Sequence, residues 1–142
     1  MALQTERTDV SLLALENPLQ TSAFDYPKEY SAKSPKFARA MAVRAGDHVT
    51  TWVSGTASIV NAETVHPGDA GKQTEQTLTN IERLISAENF ARLGWADVGA
   101  TLDDLAKIHV YVKHAEDFEK VRAVCERRLG CAADDLCPGG CV

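Results

Sequence analysis

From Phe37 to Leu129 the apolar residues switch between a spacing of two and a spacing near 3.6, which marks the chain as a mixture of strands and helices. Phe37 to Arg44 reads as a strand, Ala45-Gly46-Asp47-His48 as a turn, and Val49 to Ser54 as a second strand. Val49, Thr51 and Val53 share one face of that strand and Thr50, Trp52 and Ser54 the other, so the pair is a β-hairpin candidate. Gly55 to Gly68 reads as a loop. Asp69 suits a helix N-cap, because its carboxylate can accept a bond from an orphan backbone N–H. Leu78, Ile81, Leu84 and Ile85 then form one apolar stripe, and the helix should stop near Gly94. Period two returns from Asp104 to Lys113, with Ile108, Val110 and Val112 opposite Lys107, His109, Tyr111 and Lys113. A last helix from about Glu116 carries Phe118, Val121, Cys125 and Leu129 and stops at Gly130. One sheet with two helices on one face buries both stripes, so the expected class is α+β.

Residues 1 to 36 hold few periodic apolar positions, and Pro18, Pro27 and Pro35 divide them into extended or turn pieces. This segment is expected to be an extended arm, anchored by Phe24, Tyr26 and Tyr30 on a domain spanning 37 to 142. A length of 142 residues fits one core and leaves no room for a second.

Fifteen Lys plus Arg against twenty Asp plus Glu give a net charge of -5, which does not suit nonspecific nucleic-acid binding through phosphates. No apolar run approaches the roughly eighteen residues that span a bilayer. Glu6, Arg7 and Asp9 precede only a short apolar run, which is not the pattern of a signal peptide. The expectation is a cytoplasmic protein with no membrane or nucleic-acid partner. Cys131, Cys137 and Cys141 lack a Cys-x-x-Cys pair, so they are expected to be free thiols and not zinc ligands. No motif calls for a cofactor.

Two stretches resemble a known family. The first is Phe37-Ala38-Arg39-Ala40 with Ser54-Gly55-Thr56-Ala57-Ser58-Ile59, then Glu63 to Asp69 and Gln73. The second is Lys107-Ile108-His109-Val110-Tyr111-Val112-Lys113 leading into the last helix. Both resemble the RidA (YjgF) superfamily, and the Ser54 to Ile59 run is similar to the RidA-like C-terminal half of chorismatases. The arm, from Asn17-Pro18-Leu19-Gln20 through Tyr26-Pro27 to Ser34-Pro35, is similar to the chorismatase linker into that half.

The resemblance implies a chorismate-mutase-like mixed sheet with two helices packed on one face. It also implies a homotrimer with ligand clefts between subunits. RidA proteins hydrolyse reactive enamines and imines, and chorismatases hydrolyse chorismate with release of pyruvate. Both hold a substrate carboxylate with a cation. Lys113 and Lys33 are the candidates for that role, although chorismatases tend to carry arginine in these places. Lysine keeps the charge but loses the two-pronged fork that fixes a planar carboxylate. Tyr26 matches a tyrosine of the chorismatase arm, as a cleft wall and hydroxyl donor or as a pin holding the arm to the core. Ser54, Gly55, Thr56 and Ala57 offer hydroxyls and backbone N–H groups to an anion, or form a tight strand exit that needs small residues. His66 reads as a loop or helix-cap element before it reads as a base, and His109 carries less weight than Tyr111.

After the last helix the family normally continues into two strands that bring a Cys-Arg pair and a glutamate. Here no arginine follows Arg128 and no glutamate follows Glu126, so the carboxylate-binding and water-activating residues are missing from their expected places. No catalytic residue is assigned. Three readings follow in order: an enamine or imine deaminase acting on small carboxylate-bearing metabolites, a chorismatase-like hydrolase, and a noncatalytic trimer that binds a small carboxylate.

Overall fold

A computed structural model describes residues 6–25 and 36–130 of the chain. The expected hairpin is present as β2 (Ala40–Ala45) and β3 (His48–Val53), antiparallel from Ala40↔Val53 to Ala45↔His48. It turns through Gly46 at φ 59°, a backbone conformation that glycine adopts without a Cβ penalty. On the far side of β2 lies β1 (Val10–Leu15), paired antiparallel from Val10↔Ala45 to Leu15↔Ala40, so the strand order is β1-β2-β3. The segment expected to be an extended arm thus supplies an edge strand. Phe24, expected as an anchor, is exposed, and Tyr26 and Tyr30 lie outside the described residues.

The inner face of this sheet carries Leu15, Ala40 and Ala42, which form a core with Leu84 and Phe90, and Leu13, Val49 and Val53 pack against it. Small side chains on the central strand leave room for the larger ones brought by the helices. Asp69 caps α1 (Ala70–Ile85) as expected, its carboxylate accepting from the Lys72 N–H at 3.0 Å. The stripe Leu78, Ile81, Leu84 and Ile85 is buried.

The helix does not run on to Gly94. It breaks at Ser86, where ψ is 149°, and the Ser86 hydroxyl caps α2 (Ala87–Arg92) by accepting from the Asn89 N–H at 3.2 Å. Serine competes with the helix backbone for hydrogen bonds, and here it both ends one helix and starts the next. Gly99 then passes so close to α2 that an added Cβ would lie 2.4 Å from the Ala87 Cβ and 2.8 Å from its backbone nitrogen. Gly99→Ala is expected to cost about 1–3 kcal/mol by overpacking. The loss should appear as a lower urea midpoint at unchanged slope.

A second core cluster joins Leu78, Ile81 and Ile85 of α1 to Leu102 and to Val124 of α3 (Phe118–Leu129). Gly130, at φ 63°, ends α3 as expected. Arg127 and Arg128 both reach Glu75 of α1, and Arg128 also reaches Glu82 at 3.1 Å.

The strand expected from Asp104 to Lys113 is not formed. Leu102–Asp104 is a single 3-10 turn, and residues 107–113 have no regular structure. Ile108 packs on the second cluster, but Val110 is 40% and Tyr111 79% exposed. An alternating pattern becomes a strand only where a neighbouring strand takes its backbone bonds, and no described strand lies beside this segment. The expected loop, by contrast, contains a short ladder of β4 (Ile59–Val60) and β5 (Glu63–Thr64). The described fold is therefore mixed α+β, a small antiparallel sheet with three helices. None of its helices is long and apolar enough to cross a membrane.

Candidate functional site

The Ser54–Ala57 loop leaves β3 beside the entry to β2. Ser54 donates its hydroxyl to the Ala38 carbonyl at 2.8 Å and its N–H to the Arg39 carbonyl at 2.9 Å. Both donors are thus occupied in holding the strand exit. The Ala57 carbonyl accepts from Ile59 N–H at 2.8 Å and from Asn80 Nδ2 at 3.0 Å. The backbone N–H groups of Gly55, Thr56 and Ala57 have no hydrogen bond among the described residues, and they are the donors this loop retains for an anion.

Asn80 anchors the loop from below and is fully buried. Its amide nitrogen donates to the carbonyls of Ala57 and Ile59 at 3.0 and 2.9 Å, and its side-chain oxygen accepts from Gln76 Nε2 at 2.9 Å. Asn17 Nδ2 in turn donates to the Asn80 backbone carbonyl at 2.8 Å. Backbone bonds from Asn61 to Leu19 and from Thr21 to Asn61 complete a seam joining the turn after β1, the loop and α1. Sequence reasoning missed this network. Its one visible signal is a polar residue, Asn80, on the buried stripe four positions before Leu84.

A second missed group lies near the start of β2. Arg39 is buried, donates to the Thr21 carbonyl at 2.8 Å and stacks over the Phe37 ring at 5.6 Å. Beside it stands Glu16, with one carboxylate oxygen buried and without a hydrogen bond among the described residues. Burial pushes the Glu16 carboxyl above its ordinary value, while the Arg39 charge and the Ser22 hydroxyl pull it back. Because the folded state holds this proton more tightly, Glu16 favours folding most below the ordinary glutamate value and progressively less as the pH rises through the elevated one. Glu16→Gln is therefore expected to raise the thermal midpoint at neutral pH and to leave it nearly unchanged in acid. An equal shift at both pH values would contradict this.

The other expected site residues do not gather here in the described structure. Tyr26 and Lys33 lie outside the described residues, as do Cys131, Cys137 and Cys141. Lys113 is exposed on the irregular segment, and no described contact brings it to the Ser54–Ala57 loop. His66, at φ 59°, is exposed, and its carbonyl accepts from the Asp69 N–H at 3.2 Å, so it serves the helix entry. His109 and Tyr111 are exposed. Two surface grooves lie away from the loop. One, of about 170 Å³, includes Pro18, Leu19, Arg83 and Arg92, and the other, of about 190 Å³, includes Arg44, Asp47 and Asp97. In both, arginines are already paired: Arg92 with Asn89 at 2.8 Å, Arg83 with Glu88 at 3.7 Å and Arg44 with Asp97 at 2.8 Å.

No protein-family model matches the chain. It is 44% identical over 124 residues to a 3-hydroxybenzoate synthase of Streptomyces hygroscopicus, a match covering 84% of this chain and 36% of that protein. It is 43% identical over 117 residues to a chorismatase of Streptomyces rapamycinicus, covering 81% and 35%. A chorismatase of Streptomyces hygroscopicus is 40% identical over 119 residues, covering 84% and 34%. The crystal structure of a chorismatase matches at a TM-score of 0.79 and 38% identity, over 83% of this chain and 35% of that one. The chain thus spans about a third of the length of the relatives it matches. Its homologues are chorismatases and a 3-hydroxybenzoate synthase, and its fold is that of the corresponding third of a chorismatase.

Proposed function

We propose that this chain takes part in a chorismatase-type reaction, the hydrolysis of chorismate with release of pyruvate. The observation that carries this reading is the match to chorismatases, in sequence at 40–43% identity and in fold at a TM-score of 0.79. It reverses the order drawn from motifs, in which an imine or enamine deaminase stood first.

Chorismate presents two carboxylates and an enol ether. Its hydrolysis adds a proton to the ether's methylene carbon and water to the adjacent carbon, after which the hemiketal collapses to pyruvate and a dihydroxycyclohexadiene carboxylate. Such a substrate asks for N–H donors and cations placed around a partly dry wall. The N–H groups of Gly55, Thr56 and Ala57 are the donors in this reading. Lys113, Lys33 and the Tyr26 hydroxyl complete the carboxylate grip across a cleft between subunits of a RidA-like homotrimer. The outer face of the sheet supports assembly: Leu12, Val43 and Trp52 lie on it beside the buried Met41, and Trp52 is 46% exposed.

The test is pyruvate release from chorismate, followed by coupled reduction with lactate dehydrogenase, with light scattering to give the assembly mass. Pyruvate formed faster than in the enzyme-free control, by a species of three chain masses, is the expected result. Accelerated decay of iminopyruvate with no pyruvate from chorismate would replace this reading with the deaminase. Chorismate binding without turnover would replace it with a carboxylate-binding role.

A further inference from the structure

We propose that the groove between the turn after β1 and α2 is a binding site for a ring monocarboxylate, separate from the Ser54–Ala57 loop. The class includes the ring product of chorismate hydrolysis; that link rests on the chorismatase reading, and the site itself does not. Pro18 and Leu19 line the groove together with the aliphatic stems of Arg83 and Arg92, which gives a ring an apolar surface to lie on. The volume is about 170 Å³. An apolar cavity of about 150 Å³ holds one benzene ring, so the groove suits a single ring with a small substituent.

Arg92 supplies the cation. Its Nε and one terminal nitrogen donate to the Asn89 side-chain oxygen at 3.3 and 2.8 Å, and the same terminal nitrogen donates to the Glu16 carbonyl at 3.2 Å. These acceptors are all neutral, and no carboxylate among the described residues forms an ion pair with Arg92. Asn89 is 2% exposed and is itself held by donating to the Glu16 and Leu84 carbonyls at 3.1 and 2.8 Å. The guanidinium is thus fixed in direction with its charge uncompensated. Its other terminal nitrogen makes no hydrogen bond among the described residues and keeps both protons for an anion.

Charge selects one carboxylate. Arg83 and Arg92 bring two positive charges to the groove and Glu88 one negative charge, a local excess of one positive charge on a chain of net charge -5. Arg83 meets Glu88 only at 3.7 Å, with both side chains more than half exposed. Water screens so long and open a pair, which leaves Arg83 able to turn toward a bound anion.

The test is titration of the whole chain with benzoate, followed by the ligand's NMR signals, with hydrogen exchange to locate the bound ring. Saturable binding with a Kd on the order of 1 mM is expected, the strength that about nine non-hydrogen atoms support. Benzylamine, with a like ring and the opposite charge, should show no saturable binding over the same range. Bound benzoate should slow the amides of Leu19 and of residues 86–93 about twofold or more, and leave those of residues 55–57 unchanged. Arg92→Gln should weaken binding about tenfold or more, through loss of a charge-assisted hydrogen bond. Glu88→Gln, at a side chain 85% exposed, should tighten it about two- to fivefold. This second variant leaves the bonds of Arg92 to Asn89 and Glu16 intact. No saturable binding of benzoate, equal binding of benzylamine, a Kd unchanged by either substitution, or protection confined to residues 55–57 would overturn the proposal. None of these readouts uses chorismate, so an absence of pyruvate release would remove the link to the ring product and leave the site standing.

Discussion

Asn80→Asp is expected to lower the unfolding free energy by about 3 kcal/mol or more at neutral pH, and to regain part of that loss as the pH falls. The substitution keeps the shape of the side chain but replaces a donor with an oxygen. That oxygen would face the Ala57 and Ile59 carbonyls, which now accept at 3.0 and 2.9 Å, inside a fully buried site. Each buried carbonyl left without its donor costs about 1–3 kcal/mol. The new carboxyl would take up a proton on folding, because burial and the two carbonyls disfavour its charge. Its folded pKa thus lies above its unfolded one, so the variant recovers stability as the pH drops through that range. Urea unfolding of the variant and parent at neutral and acid pH measures the difference. A loss independent of pH would mean that the amide acts through packing alone. Since Asn80 also fixes the floor of the Ser54–Ala57 loop, the variant is expected to lose ligand binding at that loop before it loses its helices.

The second large effect is at Phe90. It is 1% exposed and packs with Leu15, Ala40, Ala42 and Leu84, so truncation to alanine leaves a cavity between α2 and the sheet. Phe90→Ala is expected to cost about 3–5 kcal/mol. Its ring stacks on Trp95 at 6.3 Å, and Arg44 lies over the other ring system at 4.7 Å from the Trp95 centroid. Native-state tryptophan fluorescence should therefore shift to the red in the variant as water reaches Trp95. Trp52, already exposed on the opposite face, supplies a constant background. An unshifted spectrum with a stability loss under 1 kcal/mol, well below the range for a buried aromatic, would show that α2 collapses onto the vacated space.

Elements whose cause is local were legible in the sequence. The hairpin of β2 and β3, the Asp69 cap, the stripe on α1 and the stop at Gly130 each depend on residues within a few positions of one another. β1 was not legible, because Leu12 and Leu13 put apolar side chains on both faces and hide the alternation. The break at Ser86 was hidden for the opposite reason, since the apolar stripe continues across it through Phe90. Residues 107–113 show that alternation records a readiness to pair, whereas a strand also needs a neighbour. At the site, the small residues from Ser54 to Ala57 were visible, and the Ser54 hydroxyl proved to serve the strand exit. Glu16, Arg39 and Asn80 escaped notice because their surroundings are assembled from distant parts of the chain.

That distance has a consequence for the order in which the molecule is built. Asn17 bonds to a residue 63 positions later, and the Glu16 carbonyl accepts from Asn89 and Arg92, 73 and 76 positions later. On a growing polypeptide, β1 emerges long before α1 and α2 exist to receive it, whereas β2 and β3 can close on each other at once through a two-residue turn. Closing the long loops costs entropy that is repaid only when their far ends arrive. β1 can pair with β2 early, but the turn that follows it is expected to lock only when α1 and α2 arrive, so the seam around Asn17 and Asn80 acts as a clasp that closes late in assembly.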